Sequence, residues 1–108
     1  MTPETELKMW TPQEVQTRRE AEPDLLLLDV RTEGEWQAYH IPGATLMPMQ
    51  LIMSRLGELD PQRETIVLCE HGVRSERVAR FLVEQAGFEN VGNMLGGMSE
   101  WEGPVEQG

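Results

Sequence analysis

Short apolar runs alternate with amphipathic segments along this chain. Residues 25–30 (Leu-Leu-Leu-Leu-Asp-Val) and 65–68 (Thr-Ile-Val-Leu) are apolar at successive positions. Such runs are too short for independent helices and are typical of strands covered on both faces of a sheet. A brief strand is also predicted at residues 44–47, and a further one at residues 91–95. These runs are the predicted strands of the fold.

Helical segments separate the predicted strands. They cover residues 12–21, 33–39, 48–56 and 75–86, and a last helical turn runs from Gly96 to Trp101. The first begins with a capping box, in which Thr11 is the N-cap and Glu14 reaches back to the N-cap amide. Residues 1–6 and 104–108 are expected to be frayed. This order predicts an α/β fold with a mainly parallel central sheet and helices on both faces.

The length and the charge limit the classes of function. A chain of 108 residues is long enough for one domain with a core that needs no disulfide or metal. Nineteen acidic residues against nine basic ones give a net charge of −10, which argues against nucleic acid and anionic membranes as partners. The sequence shows no secretory signal and no run near the roughly 20 apolar residues that cross a bilayer. We expect a cytoplasmic protein.

Cys69 is the only cysteine, and it ends the apolar run 65–68. Ligands of parallel sheets bind beyond the carboxyl ends of the strands, and Cys69 is expected at such an end. The backbone N–H groups of the polar stretch that follows, together with the N-terminus of the next helix, can converge on an anion such as a thiolate. A stabilised thiolate is nucleophilic near neutral pH. Cys69 is therefore the candidate catalytic residue.

The alternative is an inert cysteine, because a free cysteine is most often a small buried apolar residue. Cys69 ends its strand, and charged, polar and glycine residues follow it, which favours the reactive thiol. One cysteine can form neither an internal disulfide nor a zinc cluster, and there is no resolving thiol. Any group carried on Cys69 must then pass to another molecule. We expect neither a metal nor a cofactor.

Three motifs in order make the chain resemble the rhodanese superfamily, single-domain type. The first is LDVR at 28–31 with EW at 35–36 and HIPGA at 40–44. The second is CEHGVRS at 69–75, which we name the cysteine loop. The third is LGGMSEW at 95–101 with PV at 104–105. The resemblance covers about residues 7–105 and implies a single rhodanese domain over residues 1–108.

The resemblance implies a sulfurtransferase in which Cys69 alternates between thiolate and persulfide. The sulfur donor would be a small molecule such as thiosulfate, or a protein persulfide, and the acceptor would be cyanide or a thiol. The resemblance also implies that the rest of the cysteine loop binds the substrate, namely Glu70, His71, Gly72, Val73, Arg74 and Ser75. Backbone amides of this loop would hold the negative charge.

Three side chains of the cysteine loop each have two candidate roles. Arg74 either orients an anionic donor or pairs with a carboxylate such as Asp29 or Glu35. Ser75 is expected to cap the following helix rather than to act as a catalytic hydroxyl. His71 either tunes the bound anion or faces solvent. Four residues of the first motif are expected to fasten loops and turns: Asp29, Arg31, Glu35 and His40.

Two positions depart from the pattern of the family. Tyr39 precedes His40 where the family usually has glycine, and Glu70 follows Cys69 where members that prefer thiosulfate often have a basic residue. An acidic neighbour disfavours both a thiolate and a dianionic donor. We therefore expect thiosulfate to be a poor donor and a protein persulfide or another carrier to be the natural one.

Three other functions compete with sulfur transfer. Phosphatases and arsenate reductases of related fold need a loop one residue longer, whereas four residues separate Cys69 from Arg74. Non-catalytic interaction domains of this fold commonly lose the cysteine that this chain keeps, although retention alone does not prove catalysis. A redox sensor in which Cys69 is oxidised is the weakest alternative, because no resolving cysteine is present.

Overall fold

A parallel sheet lies at the centre of the fold. The computed structural model describes residues 7–108, and the strands in this range are β1 (Lys8–Trp10), β2 (Leu26–Asp29), β3 (Thr45–Leu46), β4 (Thr65–Leu68) and β5 (Val91–Met94). Their order across the sheet is β1-β5-β4-β2-β3, and each neighbouring pair is parallel. The predicted α/β class with a mainly parallel sheet is confirmed.

Three α-helices follow the strands in the described range: α1 (Pro12–Ala21), α2 (Glu33–Ala38) and α3 (Val73–Glu84). Short 3-10 helices lie at Met49–Leu51, Leu56–Glu58 and Gly97–Glu100. Capping boxes begin both α1 and α2, because Thr11 exchanges hydrogen bonds with Glu14, and Thr32 does so with Glu35. The capping box predicted at Thr11 is therefore confirmed, and α1 has the predicted bounds.

The side chains of β2 alternate between two cores, one on each face of the sheet. Leu26 and Leu28 pack in a core that includes Val78 of α3. Leu27 packs in the other core with Val15 of α1. All four residues of β2 are buried, which explains why the strand is apolar at successive positions. Helices on both faces of the sheet are confirmed.

The register of the two central strands brings their following loops together. Asp29 at the end of β2 pairs with Leu68 at the end of β4. Arg31, two residues after Asp29, and Cys69, directly after Leu68, therefore lie at the same edge of the sheet. This edge holds the first and second sequence motifs side by side.

The helix predicted over residues 48–56 is wrong. The chain there forms 3-10 turns at Met49–Leu51 and Leu56–Glu58 instead of an α-helix. Only one apolar residue of the stretch, Ile52, is fully buried, whereas Leu51 is 41% exposed and Met53 is 76% exposed. A short helix needs a packed apolar face, and this stretch offers one buried side chain.

Two further expectations are corrected near α3 and at the N-terminal side. The N-cap of α3 is Gly72, so Ser75 lies within the helix and does not cap it. The strand β1 was not predicted, because it is three residues long and pairs with β5 alone. A strand so short gives little periodic pattern.

The C-terminal residues are fastened to the fold, contrary to the expectation that residues 104–108 are frayed. His40 and Glu106 exchange two backbone hydrogen bonds of 2.8 Å, and the Gly108 N–H donates to the Gln37 carbonyl at 3.0 Å. The matching expectation for residues 1–6 lies outside the described residues. Over residues 7–108, no helix has the length and apolar character needed to cross a membrane.

Candidate functional site

Cys69 lies between the end of β4 and the start of α3, with its sulfur facing backbone N–H groups. The Gly72 N–H donates to Sγ over 3.1 Å, and the Ser75 N–H donates over 3.3 Å. Gly72 is the N-cap of α3, so these donors belong to the first turn of the helix. The helix N-terminus carries a partial positive charge, which favours an anion at this position. The structure therefore brings together the predicted thiol and the predicted backbone donors.

The surroundings of the sulfur favour its ionised form. Burial opposes ionisation, but hydrogen bonds from Ser75 and from the backbone N–H groups of His71 and Gly72 outweigh it, and the pKa of the Cys69 thiol is lowered. The side chain is only 1% exposed and joins the core on the α3 face. The sulfur is thus covered by the surrounding protein. A reagent needs a narrow approach or a small opening of the loop.

Glycines allow the close approaches around the cysteine loop. Gly72 has a φ of +93°, a left-handed conformation that favours glycine. Gly97 has a φ of +62°, and a Cβ there would collide with the backbone of Cys69 and Glu70. The residue after Gly97 also contacts the cysteine loop, because the Met98 N–H donates to the Cys69 carbonyl at 2.8 Å. The third sequence motif therefore supports the second.

The Glu70 carboxylate contacts a buried arginine. The carboxylate lies 3.3 Å from Nη1 of Arg31 and accepts a 3.1 Å hydrogen bond from the Tyr39 hydroxyl. Arg31 is fully buried and also binds the Asp29 carboxylate, with an Nη2–Oδ2 distance of 2.9 Å. Burial and the bond to Glu70 raise the pKa of the Tyr39 hydroxyl. Arg31 therefore compensates the negative charge of Glu70 in part, because it also pairs with Asp29.

Arg74 pairs with Glu35, one of the two partners named from the sequence. Nη1–Oε1 and Nη2–Oε2 are both 2.9 Å, so the pair is bidentate. Hydrogen bonds from Arg74 lower the pKa of Glu35 to about 2. The pair joins the start of α2 to the cysteine loop. With its guanidinium engaged in this way, Arg74 fastens the loop, and any contact with a donor would compete with Glu35.

Of the remaining loop side chains, His71 and Val73 face outward and Ser75 faces inward. His71 is exposed, and Val73 is 62% exposed at the surface beside the loop. The His71 contribution near the sulfur is its backbone N–H. Ser75 is fully buried and gives its hydroxyl proton to Asn93 Oδ1, 2.5 Å away. The sulfur is thus surrounded by backbone donors of the loop and by the buried Ser75 side chain, while His71 and Val73 face solvent.

The first motif fastens turns, as its residues led us to expect. Asp29 and Arg31 pair with each other, and Glu35 pairs with Arg74. The His40 ring stacks on Trp36 with centroids 3.7 Å apart. Its Nδ1 lies 2.9 Å from the Trp36 carbonyl. These contacts hold the segment that borders the cysteine loop.

Asn93 of β5 is a residue at the site that the sequence interpretation missed. Its side chain is buried and contacts both Gly72 and Ser75 of the cysteine loop. One signal for it was available: Asn93 is a polar residue inside a strand otherwise predicted as core. A buried polar side chain is more informative than a buried apolar one. Over the range 7–108, no group of three or more His, Cys, Asp and Glu residues is placed to hold a metal ion.

Comparisons with known proteins agree with this geometry. The family model for the rhodanese-like domain matches residues 11–104. The chain belongs to the rhodanese-like family. A solved rhodanese-like domain protein from Staphylococcus aureus superposes with a TM-score of 0.84 at 29% identity, covering 94% of this chain and 99% of that one. The family membership and the fold expected from the sequence motifs are both confirmed.

Three curated relatives carry names that refer to sulfur transfer. Putative sulfurtransferase YtwF of Bacillus subtilis is 37% identical, over 94% of this chain and 96% of its own length. Thiosulfate sulfurtransferase GlpE of Pseudoalteromonas translucida is 38% identical, over 73% and 74%. Putative sulfur carrier protein YrkF of Bacillus subtilis is 37% identical over 81% of this chain, which spans 46% of that longer protein. Two of these relatives are thus named as sulfurtransferases and one as a sulfur carrier protein.

Proposed function

We propose that this chain is a sulfurtransferase that carries a sulfane sulfur on Cys69 as a persulfide. The observation that carries the proposal is the pair of N–H groups, from Gly72 and Ser75, that point at the Cys69 sulfur. Donors fixed on a sulfur stabilise negative charge there, in the thiolate before transfer and in the persulfide after it. The names of the relatives support the same class of reaction.

The reaction has two displacement steps at sulfur. In the first, the Cys69 thiolate attacks the outer sulfur of thiosulfate, the bond between the two sulfur atoms of the donor breaks, and sulfite leaves with the electron pair. In the second, cyanide or a thiolate attacks the outer sulfur of the persulfide and regenerates the Cys69 thiolate. In the first step the two reactants together carry three negative charges, and so do the persulfide anion and the sulfite that form. No external oxidant or reductant is needed.

Burial of the sulfur is the main argument for an inert cysteine, and its hydrogen bonds argue against that reading. An apolar core cysteine would face apolar neighbours on all sides. Cys69 instead receives N–H groups from a turn that begins at a glycine in the left-handed conformation. Hydrogen bonds to the charged form of a group favour that form. Cys69 therefore lies where backbone N–H groups stabilise an anion, at the edge of the apolar core.

The single cysteine and the charges around its loop bear on the choice of donor and acceptor. Cys69 is the only cysteine, so the sulfur must pass to another molecule. We propose thiosulfate or a protein persulfide as donor and a thiol or cyanide as acceptor, bound at the loop residues from Glu70 to Ser75. Glu70 adds negative charge beside the loop, and its pairing with Arg31 reduces the resulting repulsion of an anionic donor. The free thiol suits a reducing compartment such as the cytoplasm.

Steady-state turnover tests the proposal. Thiocyanate formation from cyanide would be measured with thiosulfate and with a protein persulfide as donor, in wild type and in the isosteric Cys69→Ser variant. We expect wild type to turn over at least one donor and Cys69→Ser to show only the uncatalysed rate. No turnover with either donor, or equal rates in the two proteins, would contradict the proposal. Hydrolysis of a phosphate monoester that depends on Cys69 would instead favour the phosphatase alternative.

A further inference from the structure

A buried amide lies directly behind the cysteine loop. Asn93 is the third residue of β5, is only 1% exposed, and is paired through its backbone register with Val67 of β4 and Met9 of β1. Strand pairing on both sides leaves its backbone little freedom to move. Its side chain therefore starts from a rigid base and reaches toward the start of α3.

The two polar atoms of Asn93 bind the same two residues whose N–H groups face the sulfur. Nδ2 donates to the Gly72 carbonyl over 3.3 Å, and Oδ1 accepts from the Ser75 hydroxyl over 2.5 Å. The Gly72 carbonyl only accepts hydrogen bonds, so the amide nitrogen must face it and the amide oxygen must face Ser75. The orientation of the amide is thereby determined.

Both polar groups of Ser75 take part in this arrangement. The hydroxyl donates to Asn93 Oδ1, and the N–H donates to Cys69 Sγ at 3.3 Å. The Ser75 side chain and its N–H both favour the ionised sulfur, so the position of the whole residue matters. We propose that Asn93 is a positioning residue that holds the N–H groups of Gly72 and Ser75 on the Cys69 sulfur. Asn93 touches neither the sulfur nor a substrate, so it acts through the loop.

The inference deepens the proposed function, because stronger N–H contacts stabilise the thiolate and the persulfide alike. Fixed donors stabilise charge without reorganising when charge develops. A loop without the amide would keep its sequence but lose the fixed direction of both donors. The inference predicts an effect of Asn93 on thiol ionisation that is separable from sulfur transfer itself.

The test is the thiol pKa, obtained from the pH dependence of Cys69 alkylation by iodoacetamide. Asn93→Leu keeps the approximate shape and removes both hydrogen bonds, and we expect it to raise the thiol pKa by about one unit, a roughly tenfold loss of thiolate at a pH below both values. Thr65→Val is the matched control. Thr65 is also fully buried, and its hydroxyl donates to the Arg63 carbonyl at the opposite end of β4. This control should leave the pKa unchanged.

An unchanged thiol pKa in folded Asn93→Leu would overturn the inference, and so would an equal rise in Thr65→Val. Alkylation requires no sulfur transfer, so this result is distinguishable from a failure of the proposed function. If Asn93→Leu does not fold, an NMR pH titration of the wild-type protein provides the test. The Asn93 side-chain amide signals in an NMR pH titration should then move with the midpoint of Cys69 ionisation. Signals that stay fixed while the thiol titrates would overturn the inference.

Discussion

Glu35 and Arg74 form a bidentate ion pair, with both N–O distances at 2.9 Å, that ties the first turn of α2 to the cysteine loop. Glu35 has a second task, because its Oε1 accepts a 2.9 Å hydrogen bond from the Thr32 N–H in the capping box. One carboxylate therefore stabilises a helix start and the position of Arg74. Its stabilising effect requires that it stay ionised.

The first prediction concerns acid stability. Arg74 and, to a smaller extent, hydrogen bonds from Thr32 lower the pKa of Glu35 from 4.5 to about 2, so the ionised carboxylate stabilises the fold above pH 4.5, and this contribution is lost as the pH falls toward 2. We expect Glu35→Gln to lose about 1 kcal/mol of unfolding free energy near neutral pH. Its deficit relative to wild type should shrink as the pH is lowered through that window. Urea unfolding of both proteins at several pH values measures this difference in unfolding free energy.

The matched control is Glu58→Gln, which breaks the exposed pair of Glu58 with Arg55 three residues before it. Solvent screens that pair, so the loss at neutral pH should be smaller than for Glu35→Gln. A deficit of Glu35→Gln that is the same at neutral and acidic pH would contradict the assignment of its effect to ionisation.

The second prediction concerns the donor. Glu70→Gln removes a negative charge beside the loop while keeping an acceptor for the Tyr39 hydroxyl. We expect thiosulfate to load Cys69 about fivefold faster in this variant, since the removed repulsion corresponds to about 1 kcal/mol. Added salt should reduce the difference. Stopped-flow measurement of sulfite release gives the rate.

Glu89→Gln serves as control for Glu70→Gln, because Glu89 is exposed and lies just before β5, at the opposite end of the sheet from Cys69. Its loading rate should match that of wild type. If Glu70→Gln and wild type load at the same rate, Arg31 already cancels the charge of Glu70, and the argument for a donor other than thiosulfate fails.

The third prediction concerns two glycines at which an added Cβ should have opposite effects on stability. Gly97→Ala should lose at least about 2 kcal/mol of unfolding free energy, because its φ is +62° and a Cβ would collide with the Cys69 and Glu70 backbone. Gly34→Ala should gain about 0.5–1 kcal/mol, because Gly34 lies inside α2 with open space where the Cβ would be. Equilibrium unfolding in urea compares the pair. Similar effects at both positions would contradict the proposed packing of the third motif on the cysteine loop.

The fourth prediction concerns the buried pair of Asp29 and Arg31. Both side chains are fully buried, so Asp29→Asn leaves a buried cation with reduced compensation. We expect a loss of about 3–5 kcal/mol. Asp24→Asn, at an exposed position just before β2, is the control and should change stability little. Equal, small losses in both variants, measured by urea unfolding, would show that Arg31 finds sufficient compensation in Glu70 alone.

Much of the fold was predictable because its local signals agree with its packing. The apolar strands 25–30 and 65–68 are covered on both faces, and the capping box at Thr11 begins α1. The segment 48–56 has helical spacing, yet its apolar residues Leu51 and Met53 stay exposed, so tertiary packing does not support the helix. Local pattern predicts an element only where the surrounding chain buries the patterned face.

At the site, the sequence predicted the thiol and its loop but not the partners of the loop. Arg74 had two candidate carboxylates in the sequence, and only the three-dimensional position of α2 selects Glu35. Ser75 resembled an N-cap, yet the left-handed conformation of Gly72 starts α3 earlier. Asn93 lies 18 residues after Ser75, so their contact depends on the packing of α3 on β5. Contacts distant in sequence require the topology.

Intact-mass spectrometry of the protein after exposure to a sulfane donor tests the central claim most directly. Wild type incubated with thiosulfate, or with a protein persulfide, should gain the mass of one sulfur atom, and cyanide or a thiol should remove it. Cys69→Ser should stay unmodified under the same conditions. The account predicts a single, removable sulfur that depends on Cys69. Wild type that gains no sulfur from either donor, or a sulfur that appears equally in Cys69→Ser, would contradict it.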